Sequence, residues 1–142
     1  MLSIIASQIC YPEIILRNMF SISNNIIASI KYLMQLAKVD SELFQILEDS
    51  DVLADIGIIK SFIDEKKIQG NAMKIAINNL QETLHELDAL LNKMMNKVKN
   101  HQNLWFHKYR SCDIANEKLL LVILINRMKH RFKLFLDIST KF

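Results

Sequence analysis

Residues 71–99 read NAMKIAINNLQETLHELDALLNKMMNKVK and show the strongest structural pattern in the chain. Apolar residues recur in this stretch at alternating spacings of three and four: Ile77, Leu80, Leu84, Leu87, Leu91, Met94 and Val98. Such spacing places them along one side of an α-helix, where they pack against neighbouring helices. Acidic residues come early and lysines late, which suits the dipole of a helix. The stretch therefore predicts a long helix that begins after Gly70.

A second long helix is predicted after a polar and aromatic connector at residues 100–111. Its apolar side consists of Ile114, Leu121, Ile125, Met128, Phe132 and Phe135. Ser111 or Asp113 can cap its start, because either side chain can accept a hydrogen bond from the free amides of a first turn. Residues 119–125 are all apolar, so we expect this helix to be central and surrounded by other helices.

The first seventy residues show weaker patterns. Pro12 is expected to interrupt the opening segment, because proline lacks the amide that a helix interior requires. One of the polar residues at 21–24 would then begin another helix, and residues 50–51 mark a break and a restart.

Composition points the same way as these patterns. The chain has 142 residues, of which 51% are hydrophobic, with only two glycines and one proline to form turns. This length suits one domain, and a chain with so few turn residues is unsuited to an all-β fold. We therefore expect a single all-α domain over residues 1–142. Its architecture would be a four-helix-type bundle with long antiparallel C-terminal helices and shorter or broken N-terminal helices.

The residues that usually carry chemistry do not form a site. Gly57 and Gly70 are isolated, so the sequence contains no glycine-rich loop for a nucleotide phosphate. Glu82 and His85 form one Glu-x-x-His unit, whereas di-iron bundles need two such units and two further glutamates. We therefore expect no enzyme activity, no cofactor and no metal.

Charge is distributed unevenly along the chain. Residues 1–92 contain 7 Lys and Arg against 12 Asp and Glu, a net charge of −5, whereas residues 93–142 contain 11 against 3, a net charge of +8. A basic end favours anionic partners. The alternative is that the acidic and basic parts pair with each other inside the bundle, and the sequence leaves both interpretations open.

The sequence shows no pattern typical of a secretory signal or of a membrane-spanning helix, which bears on the cellular compartment of the chain. Residues 1–10 are apolar but lack the basic start of a secretory signal. The longest apolar run, residues 119–125, is much shorter than the roughly 20 residues that span a bilayer. We expect a cytoplasmic protein that could be recruited to a membrane.

Two interpretations apply to the aromatic connector. Trp105 and Phe106 are expected to fold back as a lid on the core. They could instead stack on nucleic-acid bases while Lys108 and Arg110 hold phosphates. Basic residues in such a loop are usually solvated, so nucleic acid is not the expected partner.

The second half of the chain also resembles a known family. The residues that carry the resemblance are INNLQETLHEL at 77–87, LWF at 104–106, SCD at 111–113, INRM at 125–128 and FKLFLDI at 132–138. Their order is similar to the N-terminal four-helix bundle of the mixed-lineage kinase-like necroptosis executioners and to the HeLo-type domains of fungi and plant resistance proteins. The family's early basic residues have no counterpart here, because the first half of this chain is acidic.

The resemblance implies a cell-death or immune-signalling bundle that oligomerises and engages or permeabilises anionic membranes. The residues that would meet lipid headgroups or another anionic partner are Lys93, Lys97, Lys99, Arg127, Lys129, Arg131 and Lys133. The residues expected in the core and the loop lid are Leu84, Leu87, Leu91, Trp105, Phe106, Leu121, Ile125, Met128 and Phe132. The alternative function is a non-enzymatic interaction adaptor, Bcl-2-like or of another helical type, that binds a partner helix.

Overall fold

The computed structural model describes residues 2–35, 40–65, 68–103 and 112–140, with side chains from residue 14 onward except at 64–65. These ranges form helices and contain no strand. The helices are α1 (Leu2–Gln35), α2 (Ser41–Asp49), α3 (Val52–Glu65), α4 (Asn71–Gln102) and α5 (Ala115–Ser139). The predicted all-α class is confirmed. Buried side chains from all five helices belong to one hydrophobic cluster.

Helix α4 follows the apolar stripe that predicted it. Gly70 precedes the helix with φ of 81°, a left-handed conformation that glycine adopts without steric cost. Each residue of the stripe from Ile77 to Val98 is at most 1% exposed. The stripe therefore supplies the central wall of the core.

Helix α5 runs antiparallel to α4. Glu117, near the start of α5, contacts Lys97 near the end of α4. Arg131, near the end of α5, contacts the carbonyl oxygen of Asn79 near the start of α4. The two helices lie side by side over most of their length and form the largest interface between helices in the described chain.

Helices α2 and α3 lie against the other side of α5. Lys118 pairs with Asp40 just before α2 and Lys129 donates to the carbonyl oxygen of Ser50 after its end, so α2 runs parallel to α5. Lys129 also pairs with Asp55 near the start of α3, and Phe132 contacts Phe62 near its end, so α3 runs parallel to α5 as well. The break between α2 and α3 falls where the polar residues at 50–51 predicted it. Asp51 has φ of 56° there, in the left-handed region that aspartate tolerates better than most residues.

Helix α1 packs between α3 and α4. Lys99 Nζ lies 5.1 Å from the centroid of the Tyr32 ring, which places the end of α1 beside the end of α4. Lys60 Nζ lies 4.8 Å from the centroid of the Phe20 ring and joins α1 to α3. Helix α1 therefore runs parallel to α4.

The prediction of short or broken opening helices is wrong for α1. This helix extends over 34 residues and passes through both Pro12 and the polar residues at 21–24. An interior proline costs about 3 kcal/mol, and from Ile15 onward α1 contributes buried side chains to the shared core. Ser23, which was expected near a helix cap, is instead fully buried in the helix interior.

Two predictions for α5 are also wrong. The N-cap residue is Ile114, with no side-chain cap, because α5 begins later than Asp113 would require; Ser111 lies outside the described residues. Helix α5 is not surrounded, because it contacts mainly α4, with smaller contacts to α2 and α3. One side of α5 consequently faces solvent.

Candidate interaction surface

The basic residues near the end of α4 converge on one carboxylate. Glu117 is almost completely buried, and Lys97 donates a hydrogen bond to its Oε1 atom. Lys93 Nζ lies 3.7 Å from the same oxygen. The hydrogen bond from Lys97 holds the pKa of Glu117 below its ordinary value, and the pKa of Lys97 is raised by the same bond. Both lysines therefore neutralise a carboxylate that belongs to the bundle.

Lys99, the third basic residue predicted on α4, lies over the ring of Tyr32. A cation at this distance from an aromatic face is attracted by the negative potential of the ring. This cation–π contact joins α4 to α1, so the charge of Lys99 interacts with a side chain of the bundle itself.

The two arginines of α5 contact α4. Arg127 Nη1 lies 3.2 Å from Glu86 Oε2, in an exposed ion pair. Arg131 Nη1 donates to the carbonyl oxygen of Asn79 at 2.9 Å and to Thr83 Oγ1 at 2.6 Å. Both arginines fasten the hairpin formed by α4 and α5.

Lys129 lies on the side of α5 that is nearer to α2 and α3, whereas Lys133 lies on the outward side of α5. Lys129 donates a hydrogen bond to the carbonyl oxygen of Ser50 at the end of α2. Its Nζ is also 3.1 Å from Asp55 Oδ2, an ion pair whose angles do not make a hydrogen bond. Lys133 is exposed and has no ion-pair partner among the described residues.

The predicted basic residues therefore form no single patch. From Glu117, where the α4 lysines meet, Arg127 is ten residues further along α5, or about 15 Å at 1.5 Å per residue. Six of the seven predicted residues contact groups of the bundle itself. Two of them, Arg127 and Lys129, pair with carboxylates of the acidic part of the chain, whereas Lys93 and Lys97 pair with Glu117 of the basic part itself.

The predicted core residues divide into three groups. Those that are buried are Leu84, Leu87, Leu91, Leu121, Ile125 and Met128. Phe132 is partly buried, and its ring meets the edge of Phe62 at a centroid distance of 6.0 Å. Trp105 and Phe106 lie outside the described residues.

An exposed apolar surface on α5 was not predicted. It consists of Leu119, Leu120, Val122 and Ile123, which are 68%, 44%, 40% and 52% exposed; we call it the α5 patch. Contiguous exposed aliphatic side chains usually mark an interaction site, whereas single ones do not. The sequence signal was present, because residues 119–125 are all apolar and a helix can turn only part of such a run toward one core.

A groove between α2 and α5 adjoins the α5 patch and has a volume of ≈ 390 Å³; we call it the α2–α5 groove. Its lining residues are Glu42, Gln45, Ile46, Asp49, Ser50, Val122, Ile125 and Asn126. Val122 belongs to both surfaces, so the groove and the patch are continuous. Ile46, Val122 and Ile125 make the interior of the groove apolar.

The wall of the groove on the α2 side is acidic. Two of the lining residues, Glu42 and Asp49, carry carboxylates, and both lie on α2. Lys118 Nζ lies 3.0 Å from Asp40 Oδ2 and 3.4 Å from Glu42 Oε2. Asp49 is exposed and accepts a hydrogen bond from a neutral donor, Gln45 Nε2, at 2.7 Å. The groove thus combines apolar lining with negative charge at its edge.

No helix in the described ranges is long and apolar enough to cross a bilayer. Comparison of the chain with protein-family models, with curated proteins and with solved structures finds no match. The function must therefore be argued from the geometry of the α5 patch and the α2–α5 groove.

Proposed function

We propose that this chain is a non-catalytic interaction module whose α5 patch binds an apolar surface of another protein. One observation carries the proposal: four large aliphatic side chains are exposed within five consecutive residues of α5. Leaving apolar surface in water costs about 25 cal/mol per Å². A partner that covers the patch would recover this free energy, which is the dominant favourable term in most protein association.

We also infer that the bundle is of the four-helix type. Helices α2 and α3 both run parallel to α5 and follow each other with a break at Ser50 and Asp51, so together they act as one rod. The other rods are α1, α4 and α5. In this arrangement α1 and α5 lie diagonally opposite, which leaves the outer side of α5 free for a partner.

The proposal predicts site-specific cross-linking from the α5 patch. A photoreactive benzoylphenylalanine at Ile123 should give a discrete cross-linked species in the native host, because this position lies in the middle of the patch. The same residue at Glu82, which is exposed on α4, should give none and serves as the matched control. Leu119→Asp in the Ile123 variant should abolish most of the cross-linked species. Equal yields from the two positions, measured on blots, would contradict the proposal.

Membrane engagement is a second candidate, and it is the cell-death or immune-signalling function that the HeLo-type resemblance implies. The observation in its favour is the outward side of α5, where Leu119, Ile123, Asn126, His130 and Lys133 are exposed at spacings of four and three. The first half of this side is apolar and the second half contains basic residues. A helix with these two properties can lie in the interface of an anionic membrane, on its own or in an oligomer.

This second candidate predicts that vesicles containing phosphatidylserine retain the chain, whereas phosphatidylcholine vesicles do not. Lys133→Glu should weaken retention more than fivefold, because one charge near an anionic surface is worth about 1 kcal/mol. Among the residues that the structure describes, Lys133 has no ion pair to lose. Lys74→Glu, on the first turn of α4, is the control. The absence of retention in a vesicle sedimentation assay at low salt would exclude the membrane function and leave the protein-interaction proposal standing.

A further inference from the structure

The α2–α5 groove has a definite length and direction. Helix α2 lies parallel to α5, because Lys118 holds the residue before its start and Lys129 holds the carbonyl oxygen of Ser50 after its end. Nine helical residues span about 14 Å. The lining of the groove on α5 runs only from Val122 to Asn126, about 6 Å, so its apolar part takes the side chains of about one turn of another helix.

The charges at the edge of the groove have a matching spacing. Glu42 and Asp49 are seven residues apart, so they lie two turns apart on the same side of α2, about 10 Å along its axis. Glu42 remains largely exposed although it pairs with Lys118. Two carboxylates at this separation can both meet a helix that presents cations seven residues apart.

We propose that the α2–α5 groove binds a basic amphipathic helix of a partner protein. This inference rests on the proposed function, since it names the kind of partner that the same surface takes. The apolar side of the partner helix packs on Ile46, Val122 and Ile125. Its Lys or Arg residues lie beside Glu42 and Asp49. Opposite charge at the edge of an apolar contact selects among amphipathic helices, because a like-charged helix would be repelled.

Charge complementarity distinguishes this occupant from a lipid surface. The carboxylates of α2 repel anionic headgroups at the groove, whereas they attract a basic helix. Helix-in-groove recognition by apolar anchors at helical spacing is also a common binding mode.

The test uses two synthetic peptides of Leu and charged residues with the same amphipathic pattern, one with Lys and one with Glu. The full chain should bind the Leu/Lys peptide with a Kd on the order of 10 µM in fluorescence anisotropy. Binding should weaken as salt is added, because surface charges are screened. The Leu/Glu peptide should not bind at the same concentrations.

Three variants separate the groove from a general acidic surface. Asp49→Lys should weaken binding of the Leu/Lys peptide about tenfold. Val122→Asp should also weaken it, although it adds a negative charge, because it places a carboxylate in the apolar lining of the groove. Glu82→Lys removes an exposed carboxylate elsewhere on α4 and should have little effect. Circular dichroism should show the same helicity for all three variants.

Two results would overturn the inference. The first is tighter or unchanged binding by the Val122→Asp variant, or no binding of the Leu/Lys peptide at all. The second is a dimer of the chain alone that Val122→Asp dissociates in sedimentation, because the occupant would then be a second copy. In either case the cross-linking from Ile123 still decides the proposed function independently, since it requires a bound protein but no particular charge.

Discussion

Replacing Phe135 with alanine is expected to lower the free energy of unfolding by about 3–5 kcal/mol. The Phe135 ring is 1% exposed and lies 5.6 Å from the ring of Phe62, edge to face at 86°. The substitution removes one of the two ring contacts between α5 and α3 and leaves a cavity that the neighbouring helices fill only in part. Urea unfolding followed by circular dichroism measures the change.

The matched control for Phe135 is its neighbour Leu134, which is 45% exposed. Leu134→Ala should change the free energy of unfolding by less than about 0.5 kcal/mol, because a half-exposed side chain loses little burial. Equal losses for the two variants would mean that α5 does not pack on α3 through Phe135.

Replacing Lys118 with methionine is expected to destabilise the chain by about 2–3 kcal/mol, because it leaves the carboxylate of Asp40 without its cation. Both side chains are mostly buried, at 15% and 13% exposed. Asp40 also caps α2 by accepting a hydrogen bond from the Leu43 amide at 2.9 Å, so the loss should be local to α2. Urea unfolding gives the total, and hydrogen exchange of the α2 amides gives its location.

The pH dependence of the same pair has a definite sign. Burial lowers the pKa of Lys118. The hydrogen bonds and negative charges of Asp40 and Glu42 raise that pKa by more than burial lowers it, so the pKa of Lys118 lies above its ordinary value. A raised pKa in the folded state means that the ion pair stabilises the chain fully below the unfolded value of about 10.4. That stability is lost as pH rises through the folded pKa. The Lys118→Met variant should lack this alkaline loss, and Lys93→Met, whose side chain is largely exposed, should retain it.

The helices of the second half of the chain could be predicted because their signals are local. The stripe from Ile77 to Val98 repeats over six turns, and Gly70 marks where α4 begins. The continuity of α1 could not be predicted in this way. Pro12 gives a strong local signal to stop, whereas the burial of α1 from Ile15 onward is a tertiary feature that no local pattern records.

The candidate site was less accessible to sequence reasoning. In the sequence Lys97, Arg131 and Lys133 are all simply basic residues of the second half of the chain. Only the register between α4 and α5 shows that Lys97 and Arg131 contact groups of the bundle. The α5 patch was hidden for a similar reason. Residues 119–125 make α5 apolar on all its sides, so the sequence does not show which side is exposed. Because α1 packs on α3 and α4, it does not cover the outer side of α5.

The attachment of α2 affects how the groove behaves. A nine-residue helix is too short to be stable alone in water, and α2 is held by Leu43, Leu47 and one lysine at each end. We therefore expect α2 to detach from the bundle at a lower free-energy cost than the longer helices. The α5 side of the groove is fixed, whereas the α2 side can shift. The width of the groove can therefore change to fit partner helices with larger or smaller side chains, without a rearrangement of the rest of the core.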